Sequence, residues 1–290
     1  MKKESHENLI SVPELSDFLE RIGMPREAVK QITTFPLSPS EYDRFRESFH
    51  RDREEFYRMV RTRKQFRELF LSLYARMALE VYPVYLEKGI PEEIYWNTFS
   101  DLTVWCLDCA EKYGVYGIDE YRWFRRHLKL QLFGLGRLQF EKTASEWDVS
   151  VQGTEIVKGD TLISVHIPAG EPLEEGACRD AFARAFDFWG EAYFYVCHSW
   201  LLFPGLKDIL PKESNILKFQ NFFRIVRTDF DERQAEQRIF GTVQENPEKY
   251  RRKTFLQRAA ASYLQEGHLL GNGLGILKTE DIQAKKNKFI

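Results

Sequence analysis

Two histidines stand where proton chemistry could be done. His166 lies near the end of Thr161-Leu-Ile-Ser-Val-His-Ile167, and His198 lies within Tyr195-Val-Cys-His-Ser-Trp-Leu-Leu202. Both runs have the apolar composition of strands. Imidazole exchanges protons readily near neutral pH, so each is a candidate general base; the competing reading is a histidine hydrogen-bonded within a sheet. Cys197 and Ser199 flank His198, but neighbours along a strand face opposite sides, so adjacency alone makes no Cys-His or His-Ser nucleophile. Trp200 falls on the His198 face of the same run and could form an apolar wall. Arg224 and Arg227 sit on a later strand-like run and could grip a carboxylate through paired N–H groups, against the commoner role of surface ion pairing. Tyr193 and Tyr195 could supply a phenolic acid. There is no Gly-x-Ser-x-Gly elbow and no Walker phosphate loop.

The cysteines point away from metal and redox chemistry. Cys106 and Cys109 form a C-x-x-C, but Trp105, Leu107 and a helical pattern surround them, and no second pair offers the further ligands that zinc requires. With Cys178 and Cys197 they are expected to be packed thiols, with no metal. Met1-Lys-Lys is followed by Glu4, Ser5, His6 and Glu7, which is no secretory leader, so a cytoplasmic chain without disulfides is expected.

Composition limits the partners. The 290 residues carry a net charge of −2, with 43% apolar and 14% aromatic side chains. No basic excess marks a nucleic-acid binder. Between Arg44 and Arg67 nine basic residues meet four acidic ones, interleaved with Phe45, Phe49, Phe56, Tyr57 and Phe66. This is read as a solvated helix face over an aromatic stripe, with a polyanion-binding face as the alternative. The longest stretch without Asp, Glu, Lys or Arg, Ala192 to Leu206, is too short and too broken for a membrane span. Oligomeric state is not legible.

These residues need elements to position them. Ser11-Val-Pro-Glu14 reads as a capping box for a first helix over Leu15, Phe18, Leu19 and Ile22, stopped at Gly23. Helical patterns continue from Ser40 with a break near Thr62, through a buried helix that Pro83 could kink, and from Pro91 to Gly114; Asp119 is expected to cap another to about Leu132. The signal then changes at Gly134-Leu-Gly136. Glu155-Ile-Val157 and Thr161 to Ile167, joined by Lys158-Gly-Asp160, read as a hairpin. A helix from Gly176 to Tyr193 then joins two strands, and such a crossover favours a parallel pair. Arg224 to Phe230 and Gln237 to Thr242 read as later strands around an acidic turn at Asp229 to Glu232. Thr254 caps a last helix, Gly271-Asn-Gly-Leu-Gly275 reads as a turn with a phosphate cradle as the alternative, and a polar tail follows from Lys278 to Ile290. The fold class is α+β, with a helical domain over 1–134 and a mixed α/β domain over 135–290.

The order of elements in the second half resembles the GNAT acyltransferase fold. Val165-His-Ile-Pro168, Cys197-His-Ser-Trp-Leu-Leu202, Leu210-Pro211, Ser214-Asn-Ile216 and Phe255-Leu-Gln-Arg258 resemble a bacterial family that joins an N-acyltransferase N-terminal domain to a GNAT-like C-terminal domain. The resemblance implies that the parallel strands part and admit acyl-CoA or acetyl-CoA as co-substrate, with the helical half covering the cleft. The pyrophosphate would meet backbone N–H groups in the loop after the first strand, and the coenzyme-binding residues this implies here are Ile167, Pro168, Ala169, Gly170 and Gly176, of which Pro168 has no N–H to give. The acceptor would be a small-molecule amine, with His198 as base and His166 beside it, and with Trp200, Arg224 and Arg227 toward substrate. The loop departs from the usual Gln/Arg-x-x-Gly-x-Gly/Ala: it reads Ala169-Gly-Glu-Pro-Leu-Glu-Glu-Gly176, and Glu171, Glu174 and Glu175 would repel a pyrophosphate. The alternative is therefore a non-catalytic GNAT-like module that binds a small molecule or a protein.

Overall fold

The computed structural model describes residues 12–278 apart from 152, 153, 191 and 192. The chain divides into two compact units, Met1–Gly134 and Leu135–Ile290. Ser11 and the tail beyond Lys278 lie outside the described residues.

The first unit is helical: α1 (Leu15–Arg21), α2 (Arg26–Thr33), α3 (Pro39–Arg51), α4 (Arg53–Arg61), α5 (Phe66–Glu87), α6 (Glu92–Phe99), α7 (Asp101–Tyr113) and α8 (Arg125–Leu128). α3 starts one residue earlier than Ser40, because Ser38 and Glu41 form a reciprocal capping box with Pro39 in the first turn. Asp52 caps α4 and so adds a break ahead of the one at Thr62. α5 runs through Pro83 and buries residues on every side of its first three turns, as a helix apolar all round must. Phe45, Phe49, Phe56, Phe70 and Tyr74 close the core around it, each at most 1% exposed. Four of the eight arginines of the Arg44–Arg67 stretch meet acids: Arg46 pairs with Asp43 and Glu80, Arg58 with Glu55, Arg63 with Glu41 and Arg67 with Asp119. Asp119 is thus an ion-pair partner and caps nothing; the helix expected to follow it shrinks to α8.

The second unit carries the sheet. β1 (Leu132–Leu135) takes the chain across the boundary, and β2 (Leu138–Ala144), β3 (Val149–Val151), β4 (Thr154–Ile156) and β5 (Thr161–His166) follow. α9 (Glu175–Trp189) crosses over to β6 (Tyr195–Ser199). Then come α10 (Leu206–Ile209), α11 (Asn215–Gln220), β7 (Phe223–Asp229), α12 (Gln234–Phe240), α13 (Phe255–Gln265) and β8 (Asn272–Leu277). The strand order is β1-β2-β5-β6-β8-β7, with β3-β4 as a separate hairpin. The parallel pairing of β5 with β6 is as the crossover requires. α9 covers one face, where Phe140 meets Phe182 and Tyr195 meets Phe186 at ring centroids 6.0 and 4.9 Å apart. The opposite face holds Leu162, Val196 and Ile276 against Ile156 of the β3-β4 hairpin. α10 to α13 enclose a second core of Leu206, Leu217, Ile239, Phe240, Ala260 and Ala261.

Four expectations change here. The turn Lys158-Gly-Asp160 forms, but β4 pairs with β3 and β5 with β2, so the two segments are not hairpin partners. Residues 237–242 are not a strand: Gln237 to Phe240 belong to α12, and Gly241 ends it with φ +75°. Gly271 to Gly275 is not a turn; Asn272 onward is β8, hydrogen-bonded between β6 and β7. The strand expected to reach Leu202 ends at Ser199, whose Oγ accepts from the Leu201 N–H (3.2 Å) and opens a 3₁₀ turn over Trp200–Leu202.

Candidate active site

β5 and β6 share two rungs, Ile163↔Tyr195 and Ser164↔Val196, and then part. Each keeps its outer partner beyond that point: Val165 and His166 stay paired with Phe140 and Gln139 of β2, and Cys197, His198 and Ser199 with Gly275, Leu274 and Gly273 of β8. The sheet is therefore split between two halves that are each internally bonded, and the strand edges facing the gap lose their mutual hydrogen bonds. Backbone N–H and C=O groups on such edges require other partners, from water or from a ligand.

Both histidines flank this parting. Continuing the register by two residues sets His166 opposite His198, on the sheet face opposite α9. His198 Nε2 lies 2.8 Å from Asp229 Oδ2 at the end of β7; the two side chains are 33% and 13% exposed. A bond to a carboxylate requires an N–H donor, so Nε2 carries the proton and neutral His198 presents the Nδ1 lone pair. Asn272 on β8 donates to the other Asp229 oxygen (3.4 Å). Trp147 meets the His198 ring edge-on at 5.6 Å. His166 Nε2 makes the corresponding contact to Glu141 Oε2 on β2, at 3.1 Å. The parted edge thus carries two imidazole–carboxylate pairs, one on each half of the sheet.

The loop from β5 to α9 is shaped to leave backbone amides accessible. Gly170 adopts φ +103°, and a side chain at Gly170 or Gly176 would meet nothing within 4 Å. The first intrahelical bond of α9 runs from Cys178 N–H to Glu174 O, so the Glu175, Gly176 and Ala177 amides have no acceptor within the helix. No side chain caps that end. Two of the loop's three carboxylates are engaged: Glu175 pairs with Arg179 at 2.7 Å, and Glu174 accepts a hydrogen bond from the Asn215 amide at 2.9 Å. Ile167 and Pro168 form the partly buried start of the loop, and Ala169 after them is exposed.

The remaining candidates lie elsewhere in the unit. Trp200 has left the strand for the 3₁₀ turn and packs against the core around Phe203 and Leu206, so it does not share a strand face with His198. Arg224 and Arg227 sit on β7 at the sheet's far edge, with β8 between them and β6. All four cysteines are buried free thiols, and burial pushes Cys197 up to about 12 and Cys178 up to about 11. No group of His, Cys, Asp and Glu among the described residues could hold a metal ion. No helix among them is long and apolar enough to cross a membrane. Sequence reasoning missed Asp229, Glu141, Trp147 and Asn272. Glu141 was within reach of the argument, because alternation about Phe140 sets it on the face that carries His166.

The fold is shared with solved acyltransferases. It matches "acyltransferase in complex with decanoyl-CoA and teicoplanin" with a TM-score of 0.74 at 21% identity, over 93% of this chain and 90% of that one. It also matches "acyltransferase in complex with CoA and 10C-Teicoplanin" at the same score and identity, over 91% and 87%. No curated protein matches. Residues 13–130 match the N-acyltransferase N-terminal domain. Residues 132–277, which hold the parted strands, both histidine pairs and the loop before α9, match the GNAT-like C-terminal domain, and the chain belongs to the family that this domain defines.

Proposed function

We propose that the protein is a cytoplasmic bacterial enzyme that transfers an acyl group from coenzyme A to the amine of a small-molecule acceptor. The observation that carries the reading is the parting of β5 and β6 after two rungs, with the β5–α9 loop and its amides following the first of these strands. The pantetheine arm would lie along the parted edges. The pyrophosphate would be held by the Gly170–Gly176 loop and the first-turn amides of α9, where unsatisfied N–H groups and the helix dipole favour negative charge. That two of the matched acyltransferases hold decanoyl-CoA or CoA supports the same reading.

The chemistry follows from His198. Its Nδ1 lone pair takes the proton from the acceptor ammonium, and the freed amine attacks the thioester carbonyl carbon. The carbonyl becomes an oxyanion held by strand-edge N–H groups. As the carbonyl re-forms, the C–S bond breaks and the coenzyme A thiolate leaves; the attacking nitrogen, cationic after attack, gives up its extra proton to that thiolate directly or through water, and His198 returns the first proton to solvent. Asp229 holds the imidazolium during this step, much as a carboxylate orients any catalytic histidine. His166 and Glu141 repeat the arrangement across the gap, and His166 is assigned the supporting place.

Titration calorimetry with coenzyme A, acetyl-CoA, octanoyl-CoA and decanoyl-CoA tests the reading directly. Saturable binding of at least one acyl-CoA is expected, followed by thiol release when an amine acceptor is added. Absence of binding to all four would leave the parted strands as a shared shape, in keeping with a non-catalytic module.

A further inference from the structure

We infer that Arg137 is the positioning residue of the coenzyme loop, supplying from the β1–β2 turn the positive charge that the loop's own sequence lacks. The inference rests on the acyl-CoA reading above. From Ile167 to Gly176 the loop has no Lys or Arg and carries three glutamates. Arg179, the first cation after it, is paired with Glu175. Arg137 enters from outside: its Nε donates to Pro172 O at 3.1 Å and its Nη2 to Glu171 O at 2.5 Å. A guanidinium has five donors in a fixed plane, so two successive carbonyls held by one fork fix the intervening peptide. Peptide planarity then turns the Leu173 N–H away from the guanidinium. Leu173 is itself buried, which pins the loop on its other side.

The site of Arg137 is costly for a surface cation. Burial pulls its guanidinium below the ordinary arginine value, partly offset by the nearby Cys178 and Glu171. A cation kept half-buried against backbone carbonyls gains from an anion bound on the loop. A dianionic pyrophosphate is such an anion, and a pantetheine thioester without one is not.

Steady-state kinetics with decanoyl-CoA and with S-decanoyl-pantetheine, which lacks the pyrophosphate, separates the roles in wild type, Arg137→Met and Arg137→Lys. The expected result for Arg137→Met is a KM for decanoyl-CoA raised roughly tenfold or more, the loss typical of one charge-assisted interaction. Its kcat at saturation should stay within about threefold, and its KM for the pantetheine thioester should be unchanged. Arg137→Lys should recover part of the loss, because it returns the charge without the fork. Equal losses on both thioesters would show a structural role only and overturn the inference, as would no loss on either. Wild type that turns over neither thioester would instead overturn the acyl-CoA reading itself.

Discussion

His198 is one of six histidines in the chain, and its proposed place as the base rests on where its two nitrogens go. Nε2 is committed to Asp229 and Nδ1 is not, on a side chain one-third exposed at a parted strand. His198→Asn should therefore lower kcat about 10²-fold or more with little change in KM for acyl-CoA, the loss typical of a positioned base. Asp229→Asn leaves the ring in place but permits the opposite tautomer, so kcat should fall and the pH dependence of kcat should change, with the melting temperature nearly kept. An Asp229→Asn variant with wild-type kcat at every pH would remove the pair from the mechanism. The cysteines give a complementary prediction. Burial pushes Cys106 and Cys197 up to about 12 and Cys109 up to about 11, and a thiol reacts through its thiolate. Dithionitrobenzoate at pH 8 should label the native protein slowly and report close to four thiols only after denaturation. Fast labelling of even one cysteine in the folded protein would contradict this.

Among the elements, the strand β8 shows both what glycine does here and why it escaped the sequence. Gly-Asn-Gly-Leu-Gly lacks the β-branched residues that mark strands, so propensity read it as a turn. Tertiary contact requires those glycines: a Cβ on Gly273 would lie 2.2 Å from the Leu202 carbonyl oxygen, and one on Gly275 2.8 Å from both Leu202 and Phe223. Residues 237–242 failed the other way, because an isolated Ile-Phe pair cannot distinguish one turn of helix from a short strand. The strand–helix–strand around α9 was legible because length and apolar pattern fixed a crossover, and the crossover fixed the parallel pair. The acid partner of His198 was not legible, since Asp229 sits on a strand that only the sheet order brings near, whereas alternation put Glu141 within reach as the partner of His166. Two substitutions test this at the level of the elements. Gly273→Ala should destabilise by about 1–3 kcal/mol or more in urea unfolding, because backbone cannot yield as a side chain does. Gly176→Ala should leave stability unchanged or slightly raised, since open space surrounds it and alanine favours helix. The same methyl should weaken acyl-CoA binding by crowding the approach to the first-turn amides. Stability lost at Gly176 and kept at Gly273 would reverse the assignment of both.

For the molecule as a whole, the elements assigned to acyl-CoA, namely β5, β6, α9 and their loop, lie within the unit Leu135–Ile290. Binding that acts on a folded unit must raise its stability by mass action, by about 2.7 kcal/mol at a ligand concentration 100 times Kd. For a folding unit of this size each kcal/mol moves the melting temperature by roughly 2–4 °C, so decanoyl-CoA at that concentration should raise the transition of this unit by about 5–10 °C. Coenzyme A without an acyl chain keeps the pyrophosphate contacts and forgoes apolar burial along the parted strands, which is worth roughly 0.8 kcal/mol for each buried methylene. It should therefore give a smaller shift than decanoyl-CoA at the same concentration, and a graded series from acetyl- through octanoyl- to decanoyl-CoA should fall between them. Differential scanning calorimetry of the intact chain reads all of these at once. A shift that is the same for every chain length would place the affinity entirely in the loop and α9, with the acyl chain outside the gap. No shift with any of them would remove the parted strands as the site of the thioester.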